Sequence, residues 1–190
     1  MANFSCPAVT DNLIKAECGM RRGGINFVIY AANLGDIAEI SSTLNDKEMD
    51  TIVMNINPIT TQPYFWYQLA FKKDTAGISN EGVFGNNKYV NQTITLGVEG
   101  ITKKSLATLE AMVDGEIVFI AKDYENKYHV LGRIGGLQMS ALTYGTGTVS
   151  DDMYGGTITF TSAEPELSNL VKAGTQIQVW DGTAAVTVTL

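Results

Sequence analysis

The chain has 190 residues, 45% apolar and 17% charged, enough for one domain with a sizeable core or two small ones. That balance excludes a disordered acidic chain, and no run approaches the roughly 18 apolar residues a spanning helix needs. Thirteen Lys plus Arg against twenty Asp plus Glu give a net charge of −7, the reverse of a phosphate-gripping surface.

Threonine, valine, isoleucine and the aromatic residues fill 67 of the 190 positions, many in alternating runs, which predicts a mainly β fold. Residues 1–20 are weakly patterned and read as an N-terminal arm, with Asp11 to Cys18 able to form a short helix at most. Residues 21–190 read as a single β-rich domain. Arg21 to Gly24 form a turn before a strand Ile25 to Tyr30. A short strand follows at Gly35 to Ile40. Ser41 to Asp50 is a polar connection or a short helical turn, and Thr51 to Ile56 is a third strand.

Tyr64 to Phe71 is the densest apolar run, with Tyr64, Trp66 and Gln68 on one face and Phe65, Tyr67 and Leu69 on the other. That pattern predicts a strand covered on both faces. Lys72 to Asn87 differs in kind. Its three glycines and three asparagines predict a long loop, and Val83 and Phe84 are apolar groups able to dock on a partner. From Tyr89 to Val98 one face carries Val90, Gln92, Ile94, Leu96 and Val98, the other Asn91, Thr93 and Thr95, as in a strand buried on one side.

Apolar residues at helical spacing predict one helix over Ile101 to Val113, capped by Thr102, stopped at Asp114-Gly115 and laid against a sheet. Glu116 to Lys122, turned by Asp123 to Asn126, pairs with Lys127 to Leu131 in a hairpin. Strands follow at Leu137 to Tyr144 and Thr157 to Ser162, separated by the glycine-rich loop Gly145 to Asp152. Glu164 to Leu170 is expected as a single helical turn. A last hairpin joins Thr175 to Trp180 and Ala184 to Thr189 through Asp181-Gly182-Thr183.

The inventory of reactive side chains is short. His129 is the one histidine, in a returning strand without a Ser, Cys or carboxylate pattern around it, and is read as structural. Cys6 and Cys18 are too few for a cysteine-rich zinc site and too few for a disulfide scaffold, so reduced thiols are expected. Met1 to Pro7 lacks the basic and apolar regions of a secretory signal. Gly132 to Gly136 and Gly145 to Ser150 match neither phosphate-loop nor dinucleotide spacing. Asp151-Asp152 and the alternating Asp46, Glu48 and Asp50 lack the pattern of a calcium loop. No nucleophile elbow is present. No catalytic residue, cofactor or metal is expected, and no membrane partner. A strand-rich chain must instead protect or use its sheet edges, which points toward assembly.

Glu116 to Ser162 carries a resemblance. An acidic turn (Asp123 to Asn126) is followed by K-Y-H-V-L-G, G-G-L, a T-G-T loop, D-D-x-x-G-G and T-I-T-F-T. This run, with the layout of arm, long loop, single helix and closing strands, resembles the major tail tube proteins of long-tailed bacteriophages and related tail-completion rings. It is similar in particular to tail proteins of phages of Bacteroides-like hosts. The resemblance implies a tail-tube-like β sandwich or barrel with one packed helix. It also implies hexameric rings stacked into a channel for DNA ejection, within a virion assembled in the host cytoplasm. Partners would be copies of the chain, other tail proteins at the tube ends, and DNA passing without sequence-specific binding.

Carried onto this chain, inter-ring contacts fall on Phe4 in the arm and on Lys72, Lys73, Asp74, Val83, Phe84, Asn86 and Asn87 in the loop 72–87. Thr102 to Val113 becomes the outer helix. The barrel strands become Tyr64 to Phe71 and Tyr89 to Val98, through Tyr64, Trp66, Gln68, Asn91, Thr93 and Thr95. Two other readings stay open. One is a head–tail joining, terminator or capsid decoration protein. The other is a monomeric carbohydrate-binding or adhesin-like module using Trp66 or Trp180 as an aromatic platform.

Overall fold

The computed structural model describes residues 25–43, 47–69, 71, 75–85, 88–99, 103–146, 155–181 and 183–190. The expected arm 1–20, both cysteines and the turn at Arg21 to Gly24 lie outside the described residues. The fold is mainly β with one packed helix. Its largest sheet curls into a half-barrel of eight strands. In spatial order these are β14 (Ala185–Thr189), β13 (Gln176–Trp180), β5 (Trp66–Leu69), β1 (Ile25–Asn33), β8 (Ile117–Asp123), β9 (Tyr128–Leu131), β12 (Asn169–Val171) and β3 (Glu48–Met49). A second sheet runs β10 (Gln138–Gly145), β11 (Gly155–Glu164), β7 (Lys88–Glu99) and β6 (Gly77–Phe84). A two-stranded ribbon pairs β2 (Ile37–Ser41) with β4 (Thr51–Met54), and α1 covers Lys103–Val113.

The period-two alternation of β1 and β8 sends neighbouring residues to opposite faces. Ile29 and Ala31 of β1, with Ile117, Phe119 and Ala121 of β8, meet Ile94, Leu96, Ile158 and Phe160 of the second sheet. The Phe119 and Phe160 rings pack 4.9 Å apart at 55°. Tyr30, Ala32, Val118 and Ile120 point the other way, into a core closed by Trp66, Ile177, Val179, Leu190 and Ile40 of the ribbon. One strand pair therefore supports two cores.

Four expectations need correction. Half of the loop at 72–87 is strand: Gly77 to Phe84 pair residue by residue with Thr95 to Lys88. Its Gly, Ser and Asn residues carry little strand propensity, and the backbone ladder to β7 supplies what the side chains do not. The strand at Tyr64 to Phe71 is shortened to Trp66–Leu69 and is not covered on both faces. Trp66 is fully buried, while Tyr67 is half exposed; on the same face, only Leu69 further along β5 packs against the core shared with the second sheet. Glu164 to Leu170 form no helical turn; Glu164 ends β11 and Asn169 opens β12. Pro165 favours extended backbone at Glu164, against a helix there. Finally, α1 packs through Leu109 and Met112, leaving Leu106 and Val113 exposed. The proposed cap Thr102 lies outside the described residues.

Gly132 starts the turn from β9 toward β10 at φ +72°, and a Cβ there would lie 2.3 Å from Leu137 Cδ1 and 2.8 Å from the Leu137 nitrogen. Both the left-handed backbone and the close approach demand glycine. Gly132→Ala is expected to lower unfolding free energy by about 2–4 kcal/mol in denaturant titrations. Gly35→Ala, whose added methyl meets open space, should stay within about 0.5 kcal/mol of the parent.

Candidate assembly surface

The four-stranded sheet presents one apolar face to the core and one face outward. On the outward face, register sets Thr161 beside Thr93 and Thr93 beside Ser79; one row along, Thr159 stands beside Thr95. The Thr95 and Thr159 hydroxyls approach to 3.5 Å. Glu81 adds negative charge opposite Asn91, and no lysine or arginine occupies this face in β6, β7 or β11. Such a surface offers hydroxyls to water and no cation to a phosphate. Among the described residues, β10 and β6 each pair on one side only.

The residues expected to act in assembly are distributed unevenly. Asn91, Thr93 and Thr95 lie half-buried on the outward face of β7. Tyr64, Trp66 and Gln68 belong to the other sheet or its entry, with Trp66 inside the second core and Gln68 exposed. Val83 and Phe84 end β6, where Phe84 is 85% exposed. Its ring lies back over Gly82, where a Cβ would come within 2.7 Å of it. Phe4, Lys72, Lys73, Asp74, Asn86 and Asn87 lie outside the described residues. Trp66 is too buried to serve as an aromatic platform. Trp180 is partly exposed and packs on Phe65 at 5.6 Å, beside the half-exposed Tyr67.

A polar seam that sequence reading missed fastens this sheet to the half-barrel. Buried Gln92 of β7 donates through Nε2 to the Glu166 carbonyl (2.9 Å) and accepts at Oε1 from the Gly132 N–H (2.9 Å). Glu164, also buried, accepts from the Gly135 N–H (2.9 Å) and the Ser162 hydroxyl (3.1 Å). The Glu166 carboxylate receives Lys47, both Nε (3.1 Å) and Nη2 of Arg133, and Asn169 Nδ2 (2.9 Å). Arg133 also donates through Nη1 to the Ile40 carbonyl (3.3 Å), drawing in the ribbon. Gln92, the polar exception on an apolar strand face, was the available signal. Its partners are about 40 and 74 positions away in sequence, and no local pattern encodes them.

His129 sits across its hairpin from Asp123, with Nε2 and Oδ2 3.0 Å apart. Asp123 Oδ1 meanwhile accepts the N–H groups of Glu125 (2.8 Å) and Lys127 (2.9 Å). Burial raises the Asp123 pKa, but the bonds from His129, Lys127 and Glu125 outweigh it and leave it lowered. The carboxylate organises a turn, with the imidazole as a strut. Among the described residues no group of three or more His, Cys, Asp or Glu is placed to hold a metal.

Burial raises the Glu166 pKa, and the bonds from Lys47, Arg133 and Asn169 overcome it, bringing the group to about 2 from an ordinary 4.5. A carboxylate depressed in the folded state stabilises fully above its unfolded value and loses that contribution as pH falls through the folded one. Unfolding free energy should therefore decline between pH 4.5 and about 2, and Glu166→Gln should be less stable at neutral pH and show a shallower decline in acid titrations of chemical denaturation. Compared with family models, curated proteins and solved structures, the chain matches none.

Proposed function

We propose that this chain is a structural virion subunit of the tail-tube kind, which extends its β structure beside copies of itself. In this reading six copies close a ring, rings stack into a tube, and DNA passes through the channel without being gripped. The observation that carries the reading is the four-stranded sheet whose outer strands each pair on one side only among the described residues, one face locked on the core and the other bearing hydroxyls and no cation on β6, β7 or β11. Edges of that kind invite a further strand, and a ring consumes them without leaving a free end. A lumen lined by threonines and Glu81 would let phosphates slide, since each lysine contact would add salt-dependent grip. Phe84 at the end of β6 is the apolar group in position to reach a stacked neighbour. A single-ring role in head–tail joining, tail termination or decoration uses the same features with stacking absent.

One observation favours a different class. Phe65, Tyr67 and Trp180 form a partly exposed aromatic group, which suits a sugar ring in a monomeric binding module. Sedimentation velocity and negative-stain electron microscopy of the full chain separate the two. Rings or tubes are expected. A monomer at high micromolar concentration, together with oligosaccharide binding that Trp180→Ala abolishes, would overturn the assembly reading. Val83→Ser with Phe84→Ser should leave rings intact while shortening or abolishing stacks, measured as tube length in micrographs.

A further inference from the structure

The carboxylate of Glu166 touches an amine on one oxygen and a carboxamide on the other. Lys47 Nζ reaches Oε2, and Asn169 Nδ2 donates to Oε1 (2.9 Å). The backbone brings both side chains to this point. β12 runs parallel to β3, with Leu170 beside Glu48 and Val171 beside Met49, and the Leu170 N–H bonds the Lys47 carbonyl (2.9 Å). Lys47 and Asn169 are the residues immediately before that pairing, so they stand side by side at the entry of two adjacent strands.

Two features set this trio apart from a surface ion pair. Asn169 is 2% exposed, and its Oδ1 is buried with no hydrogen-bond partner. A desolvated carbonyl without a donor is costly to keep. Glu166 also carries one negative charge against two cations, Lys47 and Arg133. One reaction draws on both features. When the Lys47 ammonium passes a proton to Glu166, the amine becomes a nucleophile and the carboxyl becomes a donor. Turned about its Cβ–Cγ bond, Asn169 then presents Oδ1 to that donor, and its carbonyl carbon is polarised toward the amine.

We propose that Lys47 and Asn169 condense into an intramolecular amide, with Glu166 as the proton carrier. The Nζ lone pair forms a bond to Asn169 Cγ. Glu166 delivers its proton to Nδ2 as the Cγ–Nδ2 bond breaks, and the extra proton left on Nζ departs with the ammonia as ammonium. One amide replaces another, so the step needs no oxidant, reductant or cofactor. The lysine charge leaves with the ammonium, and Arg133 and Glu166 remain as a matched pair. Arg133 favours the ionised carboxylate and keeps the proton-transferred state scarce, yet each chain needs that state only once. The link pins β3, a two-residue strand at the edge of the half-barrel, to β12. It also closes a long loop, which lowers the entropy of the unfolded chain. It stands independently of the ring reading.

Mass spectrometry of the full chain tests the link. The purified parent should be lighter than its sequence by one ammonia, and trypsin should leave Lys47 uncut and joined to the peptide carrying Asn169. Lys47→Arg keeps a cation beside Glu166 in an exposed side chain and should fold with its full sequence mass. Glu166→Gln should slow the ammonia loss by ~100-fold or more, and Asn169→Ala should abolish the link. The linked parent should unfold at a higher denaturant concentration than Lys47→Arg. A parent chain that unfolds cooperatively yet keeps its full mass after long incubation overturns the proposal. An ammonia loss that persists in Lys47→Arg also overturns it, because an asparagine cyclising on its own backbone would then be the source.

Discussion

The alternation of β1 and β8 is the constraint on which the rest depends. A strand buried on both faces has no side reserved for solvent, so every residue from Ile117 to Ala121 must find a packing partner. Phe119 finds Phe160 and thereby fixes the second sheet, while Val118 and Ile120 look into the hollow of the half-barrel and fix Trp66 and the closing hairpin. A one-residue slip of β8 against β1 would exchange the two sets, placing Phe119 where Val118 and Ile120 fit. The bulk of the two phenylalanines makes that exchange sterically expensive, so register and the separation of the two cores are set together.

Because the core on one side is shared between two sheets, something must orient those sheets beyond apolar contact, which is non-directional. The seam of Gln92, Glu164 and Glu166 meets that need. Each is tied to backbone or side-chain donors on another element, so sliding the second sheet would leave buried acceptors unpaired. Ion pairs placed this way contribute more to fixing a geometry than to raw stability, because desolvation offsets much of their attraction. Lys47 and Arg133 share one carboxylate, and the second of them also reaches the ribbon. Sheet, half-barrel and ribbon thus meet at one acid.

How far the sequence foretells this structure follows from what each element depends on. Alternating strands with their own hairpin turns, Glu116 to Leu131 and Thr175 to Thr189, are legible because pattern and turn chemistry act within a few residues. The Tyr89 to Val98 strand is legible to the level of its faces, including Gln92 as the odd polar residue. β6 is not, because its pairing comes from backbone bonds to β7 while its side chains are those of a loop. The exposure of Tyr67, Leu106 and Val113 is equally hidden, since it depends on where a second layer ends and not on local period. Of the expected assembly residues, Phe84 is exposed, but at the end of a strand and not within a loop. Trp66 and Asn91, read together as barrel strands, stand in different sheets, because strand order is settled by contacts distant in the chain.

The proposed self-association of so acidic a chain would face a specific electrostatic problem. At physiological salt the repulsion between separated like charges fades over about 8 Å, so net charge does little to hold two chains apart until their surfaces nearly touch. What matters is then the charge within the contact itself. The stretch 51–71 carries no charge, the threonine face carries Glu81, and the carboxylate of Glu166 is matched by Lys47 and Arg133. In general, net charge far from zero favours solubility, and the charges within a contact govern where like-charged chains can join. Apolar groups as exposed as Ile59 and Phe84 are a hazard on an isolated chain. In the proposed assembly, their confinement to a braced loop and a hairpin end would restrict the ways two copies can meet, favouring order over indiscriminate aggregation.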